Sequence, residues 1–255
     1  RYPVYRPPSD LLIVDLGEVY PELSGKRLRG RLIGRRVVPY LSRAQIDAGN
    51  GHVGAANVRP PLAGNELLWV DDPVGLFFLQ IQGSGRVRLP DGRIVMVGYA
   101  DQNGHPYQSI GRRLIEMGEL KREEVSLDTI RTWLAGNPDR AMEVLNSNPS
   151  YVFFAELDSS LPGPLGSLNV PLTRERSVAV DPAYVPLGLP LWVDTIRPDA
   201  GQSPYRRLMF AQDTGGAIKG AVRADLFFGF GPEAEQLAGN MKAPGRLFVL
   251  VPRPR

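Results

Sequence analysis

Glycine and proline punctuate this chain from end to end. Of its 255 residues, 28 are Gly and 24 are Pro, and they are spread along the sequence rather than gathered in one tail. Glycine admits backbone conformations that other residues avoid, and proline lacks the N–H that a helix interior needs. Such dense punctuation favours many short strands over long helices. The length suits one large domain or two smaller ones and is ample for a buried core.

Charge and cysteine content exclude several classes. The net charge of +3 is mildly basic, which helps near an anionic polymer but does not point to nucleic acid. The arginines between Arg27 and Arg36 alternate with apolar residues and read as a solvated strand face. With no cysteine, disulfides, thiol nucleophiles and zinc–thiolate sites are ruled out. No run of eighteen apolar residues and no signal peptide is present. The chain opens at Arg1 without Met, so it reads as a fragment or processed form whose anchor or targeting signal lies elsewhere.

Residues 1–100 read mostly as strands. Leu76 to Gln82 alternates enough to predict a half-buried strand with Gln80 and Gln82 on one face, broken by Gly83-Ser84-Gly85. Arg86–Leu89 and Arg93–Val97 flank Pro90-Asp91-Gly92, a hairpin signal. Helices are expected over 107–146: one carries Ile110, Leu114 and Met117, a second follows Ser126, and a third opens at Asn137-Pro138. Leu161 to Gly166 reads as a domain junction. Strands return at Ser177–Val180, Leu191–Val193, Leu208–Gln212 and Leu247–Val251, with short helices expected at Val222–Phe227 and Pro232–Leu237, the latter closed by Gly239. The many short strands of the last third point to a small barrel.

The densest site-like segment runs from Ala211 to Gly220 and includes Gln212, Asp213, Gly215, Gly216 and Lys219. Asp213 stands at a strand end, and the two glycines allow close backbone approach to a ligand. Its spacing does not match a phosphate-binding P-loop. Twelve residues on, Asp225 sits beside Leu226, Phe227 and Phe228. Apolar walls there would raise its pKa by desolvation, and a carboxyl kept protonated can protonate a glycosidic oxygen. The plainer alternative makes Asp213 a turn cap and Asp225 an exposed charge. Asp213-Thr214-Gly215 also matches the aspartic-protease triplet, but the two-lobed members of that class carry two triplets. The histidines, His52 and His105, lie far apart, no zinc motif is present, and His105 reads as a loop residue held by hydrogen bonds.

Longer segments carry a resemblance. Among them are Arg1 to Arg6, Phe77 to Gly85, Asn103 to Tyr107, Asn148 to Phe154, Val180-Asp181-Pro182, Asp213 to Gly220, Phe228 to Ala234 and Gly239 to Lys242. Together they resemble the membrane-bound lytic murein transglycosylase A family nearly end to end. The resemblance implies a mainly β fold: a double-psi β-barrel and a large inserted, mostly β domain with a few helices. Residues 1–161 would be the insert and 162–255 the C-terminal part of the barrel, with further barrel strands lying before residue 1. A groove would bind the glycan.

On that pattern the catalytic residue falls on Asp225, acting first as general acid and then as general base, with Asp213 and Asp181 in support. Glycan contacts are expected from Gln80, Gln82, Gly83, Ser84, Asn103 and His105, and from Gln212, Gly215, Gly216 and Lys219. The implied reaction cleaves peptidoglycan between N-acetylmuramic acid and N-acetylglucosamine, leaving a 1,6-anhydro sugar and consuming no water. No metal or cofactor is expected. The partners are peptidoglycan strands, not nucleic acid. The implied protein is a periplasmic monomer that meets the outer membrane only through a lipid anchor outside this chain. A single-triplet aspartic protease and a non-catalytic glycan-binding module are the alternatives.

Overall fold

The computed structural model describes residues 1–48, 61–199, 201–216 and 218–252; His52 lies outside them. The chain divides into two compact units, Arg1–Val125 with Thr129–Leu157, and Ser126–Asp128 with Asp158–Arg255. Among the described residues no helix is long and apolar enough to cross a membrane.

The first unit begins with β1 (Tyr2–Tyr5), β2 (Leu12–Val14), β3 (Leu28–Ile33), β4 (Arg36–Pro39), α1 (Arg43–Ala48) and β5 (Glu66–Val70). It continues through α2 (Pro73–Gln82), β6 (Ser84–Arg88), β7 (Ile94–Gln102), α3 (Ile110–Glu116), α4 (Leu127–Gly136), α5 (Pro138–Asn146) and β8 (Val152–Leu157). Three antiparallel sheets result: β1 with β5, the meander β2-β3-β4, and β6-β7-β8. The hairpin at Pro90-Asp91-Gly92 forms, with Gly92 at φ 85° and Asp91 accepting from the Arg93 N–H at 3.0 Å. Within the arginine-rich stretch, Arg29 is not solvated: it pairs with the largely buried Asp101 at 3.0 Å.

Two apolar clusters anchor this unit. One gathers Tyr5, Tyr40, Ile46, Leu62, Tyr151 and Phe153, the other Val4, Leu76, Val97 and Phe154. A charge lies among them: Arg43 is buried, with its guanidinium 4.7 Å from the Phe77 ring centroid and 5.0 Å from that of Tyr151. It survives there because it donates to the carbonyls of Asn148 (3.1 Å) and Ser150 (2.7 Å).

The strand expected over Leu76–Gln82 is a helix. Asp72 caps it, its carboxylate accepting from the Gly75 N–H at 2.8 Å; Pro73 takes the first turn; and Gly83, at φ 76°, closes it in the left-handed conformation. These terminal signals outweigh the alternation of the interior. Gln80 and Gln82 therefore do not share a strand face: Gln80 is 4% exposed in the core, and Gln82 is exposed.

The second unit holds β9 (Ser177–Val180), β10 (Pro190–Ile196), β11 (Pro204–Asp213), β12 (Ala224–Leu226), α6 (Pro232–Asn240) and β13 (Arg246–Val249). Its single sheet has the order β12-β9-β11-β10-β13; β9 and β11 run parallel and the other pairs antiparallel. One face is packed by Val178, Val180, Leu191, Val193, Met209 and Ala211. The helix expected at Val222–Phe227 is instead the edge strand β12, because Ala224 and Leu226 alternate into that core while Asp225 points away. Gly239 lies within α6 rather than closing it.

The cap of α2 gives a first expectation. Asp72→Ala should lower stability by about 1 kcal/mol in denaturant unfolding, with Asp72→Asn closer to wild type. Equal stability of all three would show that packing alone holds the helix.

Candidate active site

Register in the second unit sets two of the three aspartates in one row. Asp213 of β11 and Asp225 of β12 are both Cα partners of Ala179, which lies between them on β9. Directly paired residues share a face, so both acids lie on the face opposite Val178, Val180 and Ala211. Two strand spacings separate their backbones, roughly 10 Å.

A β-bulge makes this possible. Ala211 pairs with Val178, whereas Asp213 pairs with Ala179, so Gln212 is an extra residue in β11. Without it, Asp213 would follow Ala211 onto the core face. The bulge is held on both sides. The Gln212 carbonyl accepts from the Leu168 N–H at 3.1 Å, and its side-chain oxygen accepts from the buried Ser177 hydroxyl. Gly166 lies so close to that carbonyl that a Cβ would collide with it.

Asp213 is gripped through one oxygen. Its Oδ1 accepts from both the backbone N–H and the hydroxyl of Ser167, each at 2.9 Å. The Ser167 oxygen also lies 2.7 Å from Thr214 Oγ1 and 3.2 Å from the Thr214 nitrogen. Neither Ser167 nor the hydroxyl of Thr214 stood out in the sequence. Ser167 is 46 residues from Asp213 in a loop with no motif of its own.

Asp181 is spent on the backbone. Its Oδ1 accepts from Ala183 N–H (3.1 Å) and its Oδ2 from Gly220 N–H (2.8 Å). These bonds, with the charge of Lys219 nearby, hold its carboxyl below the ordinary aspartate range. Asp181 thereby pins the far end of the Asp213–Gly220 loop, where Gly220 sits at φ 93°. Gly215 packs so tightly on Ile218 that a Cβ would crowd that side chain, while Gly216 and Lys219 are exposed.

The apolar walls expected around Asp225 are not there. Its side chain is 53% exposed and faces Arg223, whose Nε lies 3.5 Å from Oδ1. Strand alternation turns Leu226 into the core, and Phe228 packs with Tyr205, Ala234 and Leu237 instead. Proximity in sequence was mistaken for proximity in space.

In the first unit the expected contact residues fall in two places. Gln82, Gly83 and Ser84 form the α2–β6 junction, beside Gly98 and Tyr99 of β7. Asn103 and His105 lie past the end of β7. The Asn103 amide donates to the carbonyls of Leu41 (2.8 Å) and Pro149 (2.9 Å) and accepts from Tyr151 N–H (2.9 Å), with the residue 1% exposed. His105 Nε2 is 2.8 Å from the Tyr40 carbonyl. Gln80 and Asn103 are both buried among the described residues, and the Asn103 amide is engaged with the backbone.

Asp181 supplies a pH expectation. Because its folded pKa is depressed, its contribution to stability is full above the unfolded value, roughly pH 4. That contribution is lost as the pH falls through the folded value. Wild type should therefore lose more stability than Asp181→Asn between pH 6 and pH 2, as read by denaturant midpoints. Equal losses would show that the Gly220 and Ala183 bonds contribute nothing.

Comparison with known proteins identifies the family. Residues 1–155 match the family described as the MltA specific insert domain, and residues 176–251 match the 3D domain. The membrane-bound lytic murein transglycosylase A of Escherichia coli (strain K12) is 39% identical over 184 residues, 70% of this chain and 50% of that protein. The chain thus spans about half the length of the curated relatives it matches. A membrane-bound lytic murein transglycosylase from Agrobacterium tumefaciens superposes with a TM-score of 0.85 at 35% identity, covering 99% of this chain and 68% of the other. E. coli MltA with bound chitohexaose gives 0.78 at 31% identity, covering 100% and 66%. The fold class is mainly β, with a curled half-barrel sheet that is consistent with the double-psi β-barrel of the 3D domain and a second, mostly β domain. The chain belongs to the membrane-bound lytic murein transglycosylase A family.

Proposed function

We propose that this chain belongs to an enzyme that cleaves the glycan strands of peptidoglycan by lytic transglycosylation, with Asp225 as the proton-transferring acid. The observation that carries this reading is the row Asp213–Ala179–Asp225, two carboxylates flanking a small residue on the sheet face opposite Val178 and Val180. Residues 1–161 act as the family's insert and 162–255 as the C-terminal part of the barrel. The family's printed names, and the chitohexaose bound by the E. coli relative, support a glycan as the ligand.

The chemistry follows from one acid. Asp225 gives its proton to the oxygen joining N-acetylmuramic acid to N-acetylglucosamine, and the bond from that oxygen to muramyl C1 breaks. Positive charge develops at C1. The muramyl C6 hydroxyl then attacks C1 and returns its proton to Asp225, which closes the 1,6-anhydro ring and restores the acid. No water enters, so no second carboxyl is needed to activate one. Among the described residues Asp225 is half exposed, so a bound sugar can reach it and contribute to its cover. A ring laid on this face displaces solvent from the carboxyl and favours its neutral, proton-bearing form. Asp213 holds the ligand, and Asp181 holds the loop. The reading places the protein in the Gram-negative envelope as a monomer without metal or cofactor, tethered by a lipid outside this chain.

Digestion of purified murein sacculi tests this. Muropeptides released by the wild type should be lighter by one water than hydrolysis products and lack a reducing muramic end. Asp225→Asn should lower turnover by at least a hundredfold while still binding glycan. Reducing ends would make the enzyme a hydrolase, and near wild-type release by Asp225→Asn would remove Asp225 from the chemistry.

Inhibitors separate the alternatives. Turnover should persist in a chelator and in pepstatin. Pepstatin-sensitive peptide cleavage would instead favour the Asp213-Thr214-Gly215 protease reading.

A further inference from the structure

Hydrogen counting around Ser167 fixes the direction of a short chain of hydroxyls. A serine hydroxyl has one proton to give and two lone pairs with which to accept. The Asp213 carboxylate can only accept, so the Ser167 proton goes to Oδ1 across 2.9 Å. The Thr214 backbone N–H, at 3.2 Å, can only donate, and it takes one Ser167 lone pair. The 2.7 Å contact between the two hydroxyls must then run from Thr214 to Ser167 and takes the other. Ser167 is saturated, and its hydroxyl has a single orientation. The Ser167 N–H reaches the same Oδ1, so that oxygen accepts twice. Among the described residues no hydrogen bond reaches Oδ2.

The geometry points to Ser167 as the positioning residue of this site, locking Asp213 so that Oδ2 alone is offered to a ligand. An ionised oxygen held in this way takes a neutral donor, namely a sugar hydroxyl or the N–H of an acetamido group. The inference rests on the glycan reading above and adds to it a residue that touches no ligand. The bulge at Gln212 faces Asp213 outward, the Leu168 N–H ties the Ser167 loop to the bulge carbonyl, and Ser167 then sets the rotation of the carboxylate. The Thr214 hydroxyl orients Ser167 but is not needed for the bond to Asp213, which survives its loss.

Calorimetric titration with chitohexaose tests this on the full chain. Ser167→Ala should weaken affinity about tenfold, the scale of one lost hydrogen bond to a charged group, with the thermal midpoint unchanged. Ser167→Thr, which keeps the hydroxyl, should restore affinity to within about threefold of wild type, and Thr214→Val should stay in the same range. Equal affinities for wild type and Ser167→Ala would overturn the inference, as would a Ser167→Thr variant as weak as Ser167→Ala. Anhydro-muropeptide release is measured in parallel. Wild type that binds chitohexaose but releases no muropeptide overturns the cleavage reading while the affinities still judge Ser167. Wild type that does not bind overturns both.

Discussion

One extra residue in one strand determines the geometry of the second unit. Side chains alternate along β11, and Ala211 is committed to the core with Val178 and Met209. A regular strand would send Asp213 after it, burying a carboxylate among valines at a cost of several kcal/mol. The bulge at Gln212 reverses the phase, and Asp213 emerges beside Ala179 and Asp225. The unpaired groups of a bulge need partners. The Leu165–Pro171 turn supplies one through Leu168 N–H, while the buried Ser177 hydroxyl holds the Gln212 side chain. The loop that satisfies the bulge is also the loop that carries Ser167. Stabilising the bulge and orienting the acid are thus done by one segment, and the glycine at 166 is what lets it approach closely enough.

A second constraint acts at the opposite end of the loop. Asp181 follows directly on β9 and accepts the Gly220 N–H, so the glycine-rich segment after Asp213 is tied at both ends to the same pair of strands. Its middle presents Gly216 and Lys219 to solvent. A segment anchored in this way loses less entropy on meeting a ligand than a free loop would.

Local signals made some of this legible in the sequence, and their absence hid the rest. Asn137-Pro138 marked the start of α5 correctly because a first-turn proline acts locally, although the Asn137 side chain turns back to the Trp133 carbonyl instead of capping the helix. The same grammar was present at Asp72-Pro73 with Gly83, and it was overridden by the apparent alternation of Leu76–Gln82. The ends of that element were more informative than its interior. Val222–Phe227 failed for a different reason: three residues of an edge strand carry too few positions to reveal a period. Asp225 was singled out by resemblance, but its surroundings were inferred from sequence neighbours, and strand alternation sends Leu226 to the other side. Ser167 could not be found at all, because its role depends on a bulge that exists only once β9 and β11 have paired.

The buried Arg43 has a bearing on how the first unit comes into being. Its partners, the carbonyls of Asn148 and Ser150, lie more than a hundred residues further along the chain. Until that stretch is in place, the Arg43 guanidinium lacks the two carbonyl acceptors that accompany its burial, though Asp47 of the same helix offers a nearby opposite charge. The core of this unit therefore depends on contacts that span more than a hundred residues, which form later than local pairings. The guanidinium behaves as a latch that only the end of its own domain can fasten.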